Sequence, residues 1–287
     1  MIWLIGHKGM LGSKVLHYLE KSGLPSIQSD IEVDITSPPA LSEFVENKKI
    51  DWVINCSAYT AVDKAEDEKD LAYQINAKGV LNIANVCKSI NAKLIHISTD
   101  YVFDGNKTTP YVETDSTNPI GVYGASKLEG DLNLASTMDR YFIIRTSWLY
   151  GENGKNFVAS MLKFFKERNQ LNIVNDQHGC PTYTGDLAQF ILRIVTGDSK
   201  EYGTYHFSNE NETTWYLFTL KIFELAKKYK LVDDTVEILP ITTDQFPTKA
   251  VRPKYTVFSK EKAKRIFDIE IRNWEQSLEE YISKLAS

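Results

Sequence analysis

The chain opens on a short apolar run, Ile2-Trp3-Leu4-Ile5, followed at once by Gly6-His7-Lys8-Gly9-Met10-Leu11-Gly12 and then by an amphipathic stretch. Strand, glycine-rich turn and helix in that order leave few folds open. Gly6 permits a tight turn off the strand. Gly9, without a side chain, lets a pyrophosphate approach the main chain, and Gly12 lets the helix lie close to the sheet. The free N–H groups at the helix start then face the phosphates. A glycine triplet alone is a weak signal, and a purely structural turn is the competing reading. Its place at the head of a βαβ pattern favours a dinucleotide site.

That pattern continues. Trp52–Asn55, Lys93–Ser98, Tyr141–Thr146 and Tyr202–Phe207 read as strands. Met10–Glu20, Asp70–Ser89, Phe157–Arg168, Gly185–Val195, Trp215–Lys228, Ser259–Ile266 and Asn273–Lys284 read as helices. In the first half the strand runs are continuously apolar, as expected of parallel strands buried on both faces. The fold class is therefore α/β, a Rossmann-type doubly wound parallel sheet. Prolines 240, 247 and 253 mark loops in the less regular second half, and neither a repeat nor a linker is visible.

The net charge of -5 and the lack of a basic stripe argue against a nucleic-acid partner. A phosphorylated substrate would need a local basic pocket. Cys56, Cys87 and Cys180 have no metal-binding spacing and read as buried thiols in a reducing compartment, and no metal site is expected from them. No run reaches the roughly 18 apolar residues of a membrane span. The apolar run at Ile2 is too short for a signal peptide. These features predict a cytoplasmic protein with no membrane partner.

Candidate site residues follow from position. Asp30 lies 18 residues after Gly12, where an acidic side chain often binds the adenosine ribose, although a surface carboxylate fits as well. Asp34 and Ile35 follow and border the expected adenine position. An acidic ribose partner favours NADH, whereas Lys8 offers a cation for the extra phosphate of NADPH. Tyr123 and Lys127, at i and i+4, share a helix face. A tyrosine with a pKa of about 10 is a poor proton shuttle at neutral pH. A neighbouring ammonium would lower that value. The same ammonium would also hold the nicotinamide ribose. Thr99, at the carboxyl end of a strand, is placed to donate a hydrogen bond to a carbonyl oxygen that gains negative charge.

The succession G-x-x-G-x-x-G, Ser98-Thr99-Asp100-Tyr101-Val102-Phe103, Tyr123-Gly124-x-x-Lys127 and Arg145-Thr146-Ser147-Trp148-Leu149-Tyr150 resembles the extended short-chain dehydrogenases/reductases. Within them it is most similar to the dTDP-4-dehydrorhamnose reductase family. Asn55–Glu66, Asn175–Thr182, Thr213–Tyr216 and Arg252-Pro253 extend the likeness to nearly the full chain. The resemblance implies NAD(P)H-dependent reduction of the C4 keto group of dTDP-4-dehydro-6-deoxy-L-mannose to dTDP-L-rhamnose. Its catalytic set would be Thr99, Tyr123 and Lys127. NADPH, or NADH, would be held by Gly6, Lys8, Gly9, Met10, Leu11, Gly12, Asp30, Asp34, Ile35, Ser57, Ala58 and Thr60 together with Tyr123 and Lys127. Thr99, Asp100, Tyr101, Trp148 and Arg252 would meet the dTDP-sugar.

The resemblance also implies a smaller, discontinuous α/β substrate domain of residues 148–181 and 208–287 beside a nucleotide domain of 1–147 and 182–207. It carries with it a homodimer and, in some members, Mg2+ at a dimer contact. Two departures stand out. The segment between Asp30 and Asp34 is short. Cys56, Ser57 and Tyr59 occupy a stretch that is often alanine-rich with a histidine in relatives.

Other readings stay open on the residues. Trp148 is either a sugar contact or core, Arg252 either a pyrophosphate ligand or half of a surface ion pair, and His178 and His206 receive no role. A sugar-nucleotide epimerase or dehydratase shares Tyr123 and Lys127. A noncatalytic NAD(P)-binding regulatory subunit would not need them.

Overall fold

A computed structural model describes residues 1–232 and 236–286. Six parallel strands form the central sheet: β1 (Ile2–Ile5), β2 (Ser26–Ser29), β3 (Trp52–Asn55), β4 (Lys93–Thr99), β5 (Tyr141–Thr146) and β6 (Gly203–His206), in the order β6-β5-β4-β3-β1-β2. Strand order reverses between β1 and β3, so a crevice opens at their carboxyl ends. Side chains alternate between two cores. Ile2, Leu4, Ile54, Ile95, Phe142 and Ile144 pack on one face. Trp3, Ile5, Val53, Leu94 and Ile143 pack on the other.

Helices cover both faces. Met10–Lys21 and Thr184–Gly197 bring Leu11, Val15, Leu187 and Ile191 to the first core. Pro38–Val45 and Val80–Ser89 bring Leu41, Val45, Ile83 and Val86 to the second. A third core, with Tyr150, Val158, Phe165, Phe218, Ile222, Leu278 and Tyr281, lies among the helices Phe157–Glu167, Trp215–Lys228 and Trp274–Leu285. Beside it, Gln170–Val174 pairs in parallel with Glu237–Ile241. Helix Glu261–Phe267 puts Ala263 and Phe267 into the first core, so the stretch 208–287 does not serve the second lobe alone. No described helix is long and apolar enough to cross a membrane.

The stretch Asp70–Ser89 differs from one regular helix. It runs as Lys69–Tyr73, a π-helical turn over Gln74–Gly79, and then Val80–Ser89. A π turn inserts a residue and rotates what precedes it. Leu71 is consequently exposed, while Val80, Ile83 and Val86 stay on the buried face. The turn directs Asn76 inward. Its amide oxygen accepts from Tyr59 N–H at 2.9 Å and its nitrogen donates to the Tyr59 carbonyl at 3.1 Å and to Ser126 Oγ at 3.0 Å.

Opposite this turn runs helix α1 (Val122–Thr137). A Cβ at Gly130 would lie 2.1 Å from the Asn76 carbonyl oxygen, and one at Gly124 equally close to that of Tyr101. Gly130→Ala should therefore lower unfolding free energy by about 1–3 kcal/mol through overpacking. Gly197→Ala, where an added Cβ meets nothing within 4 Å, should not lower it. Thermal scans of the two variants check the contrast.

Candidate active site

Gly6 leaves β1 at φ +77°, a left-handed conformation that glycine adopts without strain. A Cβ at Gly12 would lie 2.0 Å from the Gly6 carbonyl oxygen, so the loop and the helix touch main chain to main chain. Helix Met10–Lys21 begins at Gly9 with no side-chain cap. Its first N–H groups are left for a ligand. Leu11 points its side chain into the core, so only its main chain can face a phosphate.

A cavity of about 400 Å3 adjoins this loop and includes Gly6, Gly9, Asp30, Asp34, Ile35, Ser57 and Ala58 in its lining. Asp30 stands directly after β2. Its carboxylate accepts the N–H groups of Lys8 and Ile31, each at 3.0 Å, and so ties the end of β2 to the glycine loop. The Lys8 ammonium pairs with Glu32 at 3.5 Å. Thr60 lies on the surface, outside this lining. Residue spacing had not marked Val33, Thr36 or Ile75, which complete the wall.

At the carboxyl end of β4, buried Thr99 donates to Asp100 Oδ1 at 3.1 Å and accepts from Tyr101 N–H at 3.2 Å. Asp100 is buried as well. Burial pushes its carboxyl up to about 6, against hydrogen bonds from Thr256 and Thr99, and its Oδ2 has no partner among the described residues.

Tyr123, in the first turn of α1, lies beside Thr99. Its ring meets that of Tyr101 edge-on at 5.6 Å. Burial raises the Tyr123 phenol above its usual range, opposed by the neighbouring Thr99. Lys127 is also buried, and its ammonium donates to the Ile97 carbonyl at 2.6 Å and lies 3.3 Å from His96 Nε2. Burial lowers its pKa to about 8, with Asp131 and Cys56 acting the other way. The sequence reading had Lys127 lowering the tyrosine. Here desolvation dominates and the phenol is raised, which keeps its proton in place at neutral pH.

Trp148 sits at φ +45° and stacks on Trp215 with centroids 3.6 Å apart and planes 11° from parallel. Gly179 also lies against the indole, where a Cβ would come within 2.6 Å of it. Trp215 lines a cavity of about 900 Å3 together with Phe157, Arg168, Gln177, Phe246 and Arg252. Arg252 donates to Asp63 at 3.0 Å and to the Tyr101 hydroxyl. It is thus both an ion-pair member and a wall of the cavity, linked to the end of β4. Trp148 backs the cavity through Trp215.

The stretch Thr213-Thr214-Trp215-Tyr216 carries the family likeness, but its sequence alone assigns Trp215 no role. An aromatic directly after a short strand was the available signal. His178 pairs with Glu212 at the surface, and His206 is packed between Phe103 and Phe258. Among the described residues no group of three or more His, Cys, Asp and Glu could hold a metal ion, so the Mg2+ implied by resemblance has no ligand set within this chain.

The sheet order, the glycine loop at the crevice and the cluster of Thr99, Tyr123 and Lys127 define an extended short-chain dehydrogenase/reductase. A family model described as the RmlD substrate binding domain matches residues 1–287. The chain belongs to the dTDP-4-dehydrorhamnose reductase family. It is 38% identical to the dTDP-4-dehydrorhamnose reductase of Aggregatibacter actinomycetemcomitans, with 96% of each chain covered. Among solved structures it is similar to the dTDP-4-dehydrorhamnose reductase of Clostridium acetobutylicum, with a TM-score of 0.94, 41% identity and 100% and 99% of the two chains covered. It is also similar to the Bacillus anthracis enzyme in complex with NADP, with a TM-score of 0.92, 38% identity and 99% and 98% covered.

The indole stack carries its own prediction. Replacing Trp148 and Trp215 by leucine, singly and together, should give a double-mutant coupling of about 0.5–1.5 kcal/mol in unfolding free energy. Additive losses in denaturant titrations would show that the rings do not support one another.

Proposed function

We propose that the chain reduces the C4 keto group of dTDP-4-dehydro-6-deoxy-L-mannose, yielding dTDP-L-rhamnose. The observation that carries this reading is full-length membership of the family, joined to the placing of Tyr123 beside buried Thr99 at the end of β4. NADPH supplies the hydride when bound. The uncapped helix start after Gly9 and the close main-chain packing of Gly6 on Gly12 suit a pyrophosphate. Gly6, Lys8, Gly9, Met10, Leu11, Gly12, Asp30, Asp34, Ile35, Ser57 and Ala58 would hold the cofactor, with Thr60 at the margin. The Bacillus anthracis relative binds NADP, which supports NADPH here. NADH remains compatible with Asp30.

Thr99 and Tyr123 lie side by side at the carboxyl end of β4, where the keto oxygen would approach, and Thr99 would turn its proton from Asp100 to that oxygen. As negative charge grows on that oxygen, Tyr123 gives up its proton and Thr99 steadies the charge. Lys127 stabilises the phenolate left behind and holds the nicotinamide ribose. Asp100, Tyr101 and Arg252 face the sugar nucleotide, and Trp148, through Trp215, shapes its cavity. The smaller unit, 148–181 and 208–287, supplies most of that cavity's lining, consistent with a substrate domain. Three free cysteines suit a reducing cytoplasm.

Incubation with dTDP-4-dehydro-6-deoxy-L-mannose and NADPH should consume one cofactor per product, with dTDP-L-rhamnose identified by NMR. Product without cofactor loss would instead mark an epimerase. Tyr123→Phe should lower turnover by roughly 10²–10⁴-fold with NADPH affinity nearly unchanged. Turnover within a few-fold of wild type would remove Tyr123 from the mechanism.

The lysine sets the pH dependence. Its pKa in the folded chain is about 8, so the ammonium is present below that pH and lost above it. In the free enzyme kcat/KM should therefore fall as pH rises through about 8, and Lys127→Arg should abolish that limb.

A further inference from the structure

Behind Lys127 lies a buried polar chain that the reduction itself does not use. Asn55, at the end of β3, has its amide orientation fixed by Ser57. Its Oδ1 accepts the Ser57 N–H at 3.0 Å and the Ser57 hydroxyl at 2.6 Å. The Asn55 Nδ2 must then be the atom that meets His96 Nδ1, at 3.1 Å. An amide nitrogen only donates, so Nδ1 is the acceptor. A neutral imidazole with Nδ1 unprotonated carries its proton on Nε2. His96 is wholly buried, and burial lowers its pKa well below the usual histidine range. The ring is thus neutral with its N–H on Nε2. That nitrogen faces Lys127 Nζ at 3.3 Å and Asp131 Oδ1 at 3.8 Å.

A protonated lysine has only donors to offer, and an N–H opposite it gives no hydrogen bond. A neutral amine has a lone pair that accepts one. We propose that His96 is a positioning residue that tunes the protonation of Lys127 from behind: its fixed Nε2–H favours the neutral amine, while Asp131 favours the ammonium.

The remaining groups around Lys127 are accounted for. Its own helix presents Tyr123 and Asp131. The segment after β3 presents Cys56, and the turn after β4 presents Asp100 near Tyr123. Arg145, from β5, pairs with Asp131 Oδ2 at 3.5 Å, and Ser98 donates to that same oxygen at 2.8 Å. The π-helical turn offers the uncharged Asn76 through Ser126. Asp131 Oδ1 has no hydrogen-bond partner among the described residues, which leaves it free to attract the His96 Nε2–H whenever Lys127 is charged. Set between these two groups, the fixed Nε2–H holds Lys127 near its titration point, so that the ammonium that stabilises the phenolate is present at neutral pH and lost just above it.

This inference rests on the assignment of Lys127 under the proposed function, and the test separates the two. The pH dependence of kcat/KM would be measured on the full chain with dTDP-4-dehydro-6-deoxy-L-mannose and NADPH. His96→Asn keeps an acceptor for Asn55 and removes the Nε2–H, so the basic limb should move up by about one pH unit. Asp131→Asn should move it down by a similar amount, and Asp131→Glu should restore it. A purely structural role predicts no opposite displacements.

If Lys127→Arg leaves the limb in place, the assignment of Lys127 fails. If that variant abolishes the limb but His96→Asn does not move it, the present inference fails alone. Because buried variants can fold poorly, 15N NMR of the histidines in the wild-type chain gives an independent reading. His96 should keep the Nε2–H form throughout the folded range, and an Nδ1–H form would overturn the proposal.

Discussion

The distance between helix α1 and the end of β4 is set by two side chains that are not there. At Gly124 the helix touches the carbonyl of Tyr101, and at Gly130 it touches that of Asn76. Any side chain at either place would push the helix outward. Tyr123 would then lose Thr99, and Lys127 would lose the carbonyl of Ile97. Main-chain contact gives such a site rigidity that side-chain packing alone rarely does, because backbones adjust less readily than rotamers. The chemistry is thus held by a helix anchored at one end on the turn after β4 and at the other on a π-helical turn.

Electrostatics follow from this closeness. A lysine, a histidine and two aspartates are shut away from water close to the half-buried Tyr123. Burial alone would discharge every one of them. The network resists it only in part: Arg145 and Ser98 support one oxygen of Asp131, Thr99 supports one oxygen of Asp100, and burial still raises both carboxyls, that of Asp100 to about 6. Unequal support places the groups at different points of their titration while leaving them in one pocket, and acid–base chemistry at neutral pH depends on such separation.

Most of the sheet was legible because β1, β3 and β5 are built on apolar runs and β4 carries Leu94, Ile95 and Ile97. Ser26–Ser29 was not, since an edge strand of Ser-Ile-Gln-Ser has neither an apolar run nor a buried face. It is held from the sheet side, where Trp3 Nε1 donates to Ser29 Oγ at 2.8 Å. Pro38–Val45 also escaped notice, although Ser37 caps it and prolines open it. Tyr123, Lys127 and Thr99 could be read because their spacing and strand-end position are local. Trp215, Gln177 and Arg168 could not, because they meet only when the second lobe closes around its cavity. The direction of the tyrosine shift was missed for the same reason: spacing shows that a lysine is near but not how dry its surroundings are.

Trp148 holds a backbone conformation that few residues other than glycine accept. Glycine at 148 would relax the main chain but abandon the partner of Trp215. A side chain at 179 would enter the space the indole fills. Ring at 148, ring at 215 and nothing at 179 are therefore a single choice recorded at three distant points of the chain. A change at any one of these positions therefore alters the space available to the other two, and the cavity wall stands or shifts as a unit.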